Sequence, residues 1–361
     1  MRNYVIIVDA HQDIAYNALT FDRDYTRSAR LTRRLERDTE TVSRAGRAIL
    51  GLPDALLGRV GLVCATLFVA PEAAKMGAWD TLTYRDEREA YTQALRQLDY
   101  YQRLADSTPR VRLVRTQAEL DAVLATWADG TPFQEHAQGL VLLMEGADPI
   151  IEPQQFEEWY ERGVRVVGLA WTATRYGGGT RAPGPLTKLG RELLEVLASF
   201  NALLDLSHAS EEAFFEALDR YEGTAIIASH SNPRKFCATD RHLSDDMIRR
   251  LAERDGVMGV VPFNGFLASD WRRGDPRPPL TIILDVIDHI CQVTGSAAHV
   301  GLGTDFDGGF GADDIPEGLD TIGDLWNLGP ALRARGFSAA DVEAVLGGNM
   351  LRKLRQALPA G

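Results

Sequence analysis

Eight short stretches of this chain are continuously apolar, and helix-forming sequence separates most of them. The expected strands cover residues 5–13, 61–70, 139–145, 164–171, 202–208, 224–230, 257–263 and 299–305. Runs of Val, Ile, Leu and Ala without polar alternation belong to strands covered on both faces, as in parallel sheets. Parallel neighbours need crossovers, and amphipathic segments at 85–105, 117–127, 153–162, 186–198, 211–221, 245–254 and 280–293 supply them. Eight such units predict an α/β chain of the (β/α)8 TIM-barrel class with additional helices, rather than a doubly wound open sheet. The 361 residues suit one large barrel with insertions, and no interdomain linker interrupts them, so 1–361 is read as a single domain.

The remaining segments are less regular. Residues 14–58 are rich in Arg, Asp and Glu and read as a loop followed by a helix over 36–50, their charges forming a solvated face. Tyr91, Tyr100 and Tyr101 read as packing residues of the long helix. From about residue 322 the chain is helical, with Ser338 as an N-cap ahead of Asp341. No Gly-x-Gly-x-x-Gly follows the first strand, and Gly177-Gly178-Gly179 lacks the Lys-Ser/Thr of a phosphate loop, which leaves a flexible loop there.

A formal charge of -12 disfavours nucleic acid or an anionic membrane surface as partner. Three cysteines without paired spacing, no leader before the first strand and no apolar run long enough to span a bilayer predict a cytoplasmic protein.

In barrels of this class reactive groups gather at the carboxyl ends of the strands. Strand one ends in His11-x-Asp13, whose side chains point to the same side. Alone, that pair is as readily a surface turn. The pattern repeats, however. Strand three ends on Glu145, strands five and six on His208 and His230, and strand eight on Asp305. The chain has seven His, and three of them fall at these ends. Three imidazoles and three carboxylates exceed what one tetrahedral zinc takes, and suit two metals sharing a bridging carboxylate and hydroxide. None of Lys75, Lys188, Lys235 and Lys353 ends a strand, so Glu145 is the natural bridge. A nitrogen and oxygen donor set fits two Zn2+ without excluding Mn2+, Co2+ or Fe2+.

These residues resemble the membrane (renal) dipeptidase family, metallopeptidases of family M19 with amidohydrolase-like barrels. The matching stretches are Val8-Asp9-Ala10-His11-Gln12-Asp13, Met144-Glu145-Gly146, Leu204-Asp205-Leu206-Ser207-His208, Ser229-His230-Ser231-Asn232, Gly301 to Gly308 and Gly347-Gly348-Asn349. The resemblance implies that His11, Asp13 and Asp305 bind one zinc and His208 and His230 the other, with Glu145 bridging. It implies that Arg241 holds the dipeptide carboxylate, a role suited to a guanidinium; the plainer reading is a surface Arg pairing with Asp245 or Asp246. It favours a homodimer and tolerance of a D-residue on the carboxyl side. One departure stands out. Many members carry a histidine at the end of strand four, where this chain has Trp171-Thr172, with Arg175 or Tyr176 nearby as substitute donors.

The expected activity is therefore hydrolysis of a dipeptide amide by a metal-bridging hydroxide, with Asp305 and Glu145 as catalytic residues and Trp171, Tyr176 and Arg241 facing substrate. The alternative, for which Trp171 speaks, is another small amide such as an N-acyl amino acid or a cyclic amide. A metal-binding protein without catalysis is the third reading, and the completeness of the six-residue set argues against it.

Overall fold

Eight parallel strands close on themselves in chain order: β1 (Ile7–Gln12), β2 (Val60–Phe68), β3 (Gln138–Glu145), β4 (Val164–Gly168), β5 (Leu203–Asp205), β6 (Ile226–Ala228), β7 (Val257–Val260) and β8 (Val300–Leu302). The computed structural model describes residues 6–361, so Val5, expected to start the first strand, lies outside the described residues. β1 pairs with β8 at Asp9 and Leu302, and β2 runs in register with β3 from Leu62 and Gly139 to Phe68 and Glu145. A ninth short strand, Val111–Leu113, pairs with β3 outside the ring.

The barrel strands are wholly buried, which is why their sequences do not alternate. Several end earlier than expected. β5, β6 and β8 stop at Asp205, Ala228 and Leu302, and β4 at Gly168. For β5 and β8 the reason is local: His208 (φ 63°) and Asp305 (φ 56°) have left-handed backbones, which no strand ladder accommodates. Such residues cost of order 1–3 kcal/mol and persist where surrounding structure holds them. Close strand contact also matters. A Cβ on Gly303 would sit 1.7 Å from the Ser229 carbonyl oxygen, so only glycine lets the segment after β8 pass that close.

Residues 14–58 depart most from expectation. A helix Ile14–Phe21 starts directly after Asp13, and the expected single helix over 36–50 is replaced by Ala29–Glu36, Thr41–Ala45 and Leu52–Leu57. Ser28 caps the second of these by accepting from Leu31 N, and Gly46 at φ 73° ends the third. Nor are all the charges solvated. Arg23 and Glu36 are buried and joined by two hydrogen bonds of 2.9 and 3.0 Å, and Arg23 lies 3.4 Å from buried Asp307. That ion-pair chain ties the segment to the barrel mouth.

The Gly177–Gly179 stretch is not a flexible loop. It is buried and pairs with the more exposed Ala182–Leu186 as an antiparallel hairpin over the barrel mouth. A Cβ on Gly178 would lie 2.2 Å from Gly184 N, so the two arms close only because that position has no side chain. The long helix Glu87–Ser107 is capped by Asp86, and Ser338 is the expected N-cap, completed by Asp341 into a capping box. Among the described residues no helix is long and apolar enough to cross a membrane.

Candidate metal centre and active site

The ring order brings the ends of β1, β3, β5, β6 and β8 around one mouth, and all six expected side chains converge there. Glu145, the last residue of β3, stands at the middle with its two oxygens facing different ways. Oε2 lies 3.4 Å from His11 Nε2, while Oε1 lies 3.3 Å from both His208 Nε2 and His230 Nε2. His11 Nε2 is also 3.9 Å from Asp13 Oδ1 and 3.9 Å from Asp305 Oδ1. His11 stacks on His230 at 3.6 Å between centroids.

The hydrogen-bond network assigns the His230 tautomer. Ser229 Oγ donates to Asp205 Oδ2 at 2.5 Å, because a carboxylate can only accept. Its oxygen therefore accepts from His230 Nδ1–H at 2.8 Å, which leaves the Nε2 lone pair aimed at Glu145. Thr180, at the tip of the glycine hairpin, holds His208 Nδ1 at 3.0 Å, its hydroxyl free to donate or accept. Burial, reinforced by the Arg241 charge, pushes His208 down to about 4, and burial with the neighbouring His11 and Arg241 holds His230 well below its ordinary value. Both rings are thus neutral ligand bases. Their Nε2 atoms stand 3.0 Å apart, and with Glu145 Oε1 they make a triangle of acceptors whenever His208, like His230, carries its proton on Nδ1. Such a triangle is repulsive unless a cation sits within it.

The other half makes the same demand. Neither nitrogen of buried His11 has a hydrogen-bond partner. Burial opposes its protonation, yet Glu145, Asp13 and Asp305 together raise it to about 10. Burial raises Asp13 to about 6 and Asp305 well above the usual carboxylate range. Three carboxylates around one imidazole in a dry site call for positive charge, and the donor chemistry fits a divalent cation. A corollary follows for metal uptake. With His11 raised to about 10, the metal-free protein carries that proton at every lower pH, so a cation must displace it. Adding Zn2+ at pH 8 should release at least about one proton per chain, with apparent affinity rising with pH. Calorimetry in buffers of different ionisation enthalpy reads this; uptake without proton release would contradict it.

The carboxylates just beneath this cluster had no assigned role on sequence grounds. Asp9 accepts from Thr304 N (2.7 Å), Thr304 Oγ1 (2.6 Å) and Gln12 Nε2 (2.7 Å), tying β1 to the segment after β8. Asp205 accepts from Ser207 N (3.0 Å) and Ser229 N (2.8 Å), tying β5 to β6. Asp205 also clusters with His11 and His230, but its oxygens are already taken by these donors, so it braces rather than coordinates. Thr66 Oγ1 donates to Asp13 Oδ1. A charge two or three positions before a candidate ligand, inside an apolar run, is the sequence signal for Asp9 and Asp205. Thr180 carries no such signal. Thr180→Val should weaken the affinity of the His208 side for a cation about 10–100-fold, as loss of an orienting partner does. A metal titration checks this, and an unchanged isotherm would leave Thr180 without that role.

The cluster opens into a cavity of about 630 Å³. Trp171 is half-buried on its wall, with ring centroids 5.1 Å from Phe68 and 6.2 Å from His208. Arg241 is buried on the wall too, donating to His230 O at 2.8 Å and Ser231 Oγ at 3.3 Å. It does not pair with the two acids near it in sequence. Asp245 bonds His289 at 2.8 Å and Asp246 pairs with Arg249. Among the described residues Arg241 makes no salt bridge, and burial lowers its pKa against the pull of Asp305 and Glu145. The turn beyond Thr180 is fastened to this segment by Arg181 N donating to Asp240 at 2.7 Å.

Tyr176 is not brought to the site. Its ring is fully buried in the core and its hydroxyl donates to Ile150 O, away from the cavity lining. Arg175 likewise turns away, donating from Nη1 to Ile151 O at 2.8 Å. Tyr176 belongs to the main apolar core, so its expected substrate contact is corrected to a core role.

Comparison with known proteins agrees with this geometry. A family model described as Membrane dipeptidase (Peptidase family M19) matches residues 1–360. A Klebsiella pneumoniae protein, described as an uncharacterized protein in the pqqA 5′ region, is 31% identical over 264 residues, covering 70% of this chain and 92% of that one. An uncharacterized dipeptidase of Schizosaccharomyces pombe is 30% identical over 275 residues, 74% of this chain, and the match spans 63% of its length. In fold, the chain is similar to a crystal structure of a Rhodobacter sphaeroides metallo peptidase liganded with a phosphinate mimic of the dipeptide L-Ala-D-Ala, with a TM-score of 0.78 and 24% identity over 98% of this chain and 99% of that one.

Proposed function

This chain belongs to the membrane dipeptidase family, peptidase family M19, and from that premise we propose that it hydrolyses the amide bond of small dipeptides with two divalent cations. Zn2+ is the best match to the donors. His11, Asp13 and Asp305 would hold one cation, His208 and His230 the other, and Glu145 both. The observation that carries this reading is the split orientation of Glu145, one oxygen towards each set of ligands. Bound there, the cations supply Lewis acidity and lower the pKa of water from about 15.7 towards about 7.

The chain's own residues account for the rest. Arg241, buried and without a carboxylate partner, receives the substrate carboxylate and sets the scissile carbonyl over the cluster. The Asp305 carboxylate takes the proton of the attacking water and delivers it to the leaving nitrogen. Its place at the edge of the cluster, 3.9 Å from His11 Nε2, suits that task. The hairpin over the mouth keeps bulk water from the reacting atoms. Tolerance of a D-residue on the carboxyl side is part of the proposal; the Rhodobacter sphaeroides protein was liganded with a mimic of L-Ala-D-Ala.

Arg241→Ala should raise KM for dipeptides about 10–100-fold, the worth of roughly 1.5–3 kcal/mol for charge-assisted hydrogen bonds. Dipeptide amides, which lack the carboxylate, should already be poor substrates of the unaltered enzyme. Equal KM in the variant would remove Arg241 from substrate binding. The second reading, hydrolysis of an N-acyl amino acid or cyclic amide, is favoured by Trp171 standing where many family members have a histidine. A dipeptide panel assayed with added Zn2+ separates the two, and turnover of no dipeptide would retire the first.

A further inference from the structure

The cavity has two chemically different ends. In a closed ring of eight strands, β2 and β6 stand opposite each other. Arg241 lies in the segment after β6, and Phe68 ends β2. The metal-ligand cluster lies between them. A substrate whose carboxylate rests on Arg241 and whose amide lies over the cluster therefore sends its remaining portion towards Phe68.

That far wall is a continuous aromatic strip drawn from four separate segments. Successive ring centroids are 5.1 Å apart from Trp171 to Phe68, 5.5 Å from Phe68 to Tyr16, 6.3 Å from Tyr16 to Phe21 and 5.1 Å from Phe21 to Trp79. All five rings line the cavity. The charged groups on that side are already engaged. Asp80 accepts from Tyr16 Oη at 3.1 Å and Met76 N at 3.3 Å, and it is buried. Asp307 accepts from Ile49 N and Leu50 N and faces Arg23. Arg44 pairs with Glu40 and lies 5.8 Å over the Trp79 ring. Among the described residues at this aromatic end, no unengaged charge is offered to a charged side chain, whereas the ring edges and faces suit an aromatic guest.

Resting on the dipeptidase reading above, we infer that this strip is the pocket for the side chain of the amino-terminal residue, and that the substrate class is dipeptides beginning with a large apolar, above all aromatic, residue. Trp79 and Phe21 form its outer end, so they act on specificity without touching the reacting atoms.

The test is kcat/KM for an X-Gly series in which X is Gly, Ala, Leu, Phe, Trp, Lys or Glu, the achiral second residue removing any stereochemical bias. Phe-Gly and Trp-Gly should exceed Gly-Gly by roughly 10–100-fold, as a matched apolar pocket discriminates. Glu-Gly and Lys-Gly should fall at the bottom. Phe21→Ala and, separately, Trp79→Leu should each shrink the Phe-Gly to Ala-Gly ratio by about tenfold. Turnover of the series with a flat profile, with a preference for Lys or Glu, or with ratios unmoved in both variants overturns this inference and leaves the dipeptidase reading standing. Turnover of no dipeptide overturns both.

Discussion

Glu145→Gln is expected to leave a folded barrel that binds at most one cation per chain and has lost at least about a thousandfold in kcat/KM. The effect is large because one side chain serves two clusters. Oε2 lies 3.4 Å from His11, nearer than Asp13 or Asp305, and Oε1 lies 3.3 Å from both other imidazoles. The amide keeps the shape but removes the charge that offsets three converging rings. It also removes the strongest of the groups that raise His11, so less negative charge remains to attract a cation. Metal analysis together with circular dichroism checks this. A variant holding two cations with near-normal turnover would show that Glu145 is not the bridge.

Asp305→Asn tests chemistry rather than assembly. The asparagine oxygen can still face His11, so metal content should stay near that of the unaltered protein, while kcat falls about 10²–10⁴-fold, the usual range for removing a proton-transfer group. Protonation of Asp305 removes the base, so kcat should fall towards acid pH, and the variant should lose that dependence. An unchanged rate, or a pH profile that keeps the same acid limb, would take Asp305 out of the proton path.

Much of this architecture was readable because burial on both faces leaves a plain mark. Strands β2 and β3 are continuous apolar runs, and their expected limits differ from the observed ones by one or two residues. The same mark placed His11, Glu145, His208, His230 and Asp305, since each follows an apolar run at the reactive end of a barrel. What could not be read was whatever depends on partners distant in the chain. Arg23 and Glu36 look like surface charges until Asp307, nearly three hundred residues away, is brought beside them. Gly177-Gly178-Gly179 looks like a flexible loop because a stretch without side chains carries no periodicity, yet close packing against Gly184 makes it the arm that positions Thr180. Tyr176 and Tyr16 are both aromatic residues near motif positions, and composition alone does not tell the core ring from the cavity ring. The helix Ile14–Phe21 was missed because His11-x-Asp13 reads as a strand end followed by a turn, whereas Asp13 itself stands at the N-cap position.

Whether six side chains from five strand ends form one centre for two cations is decided by titrating the metal-free protein with Zn2+, followed by elemental analysis after removal of excess metal. Two equivalents per chain, with dipeptide hydrolysis appearing as they bind, is the predicted result. A plateau at one equivalent or none would contradict it.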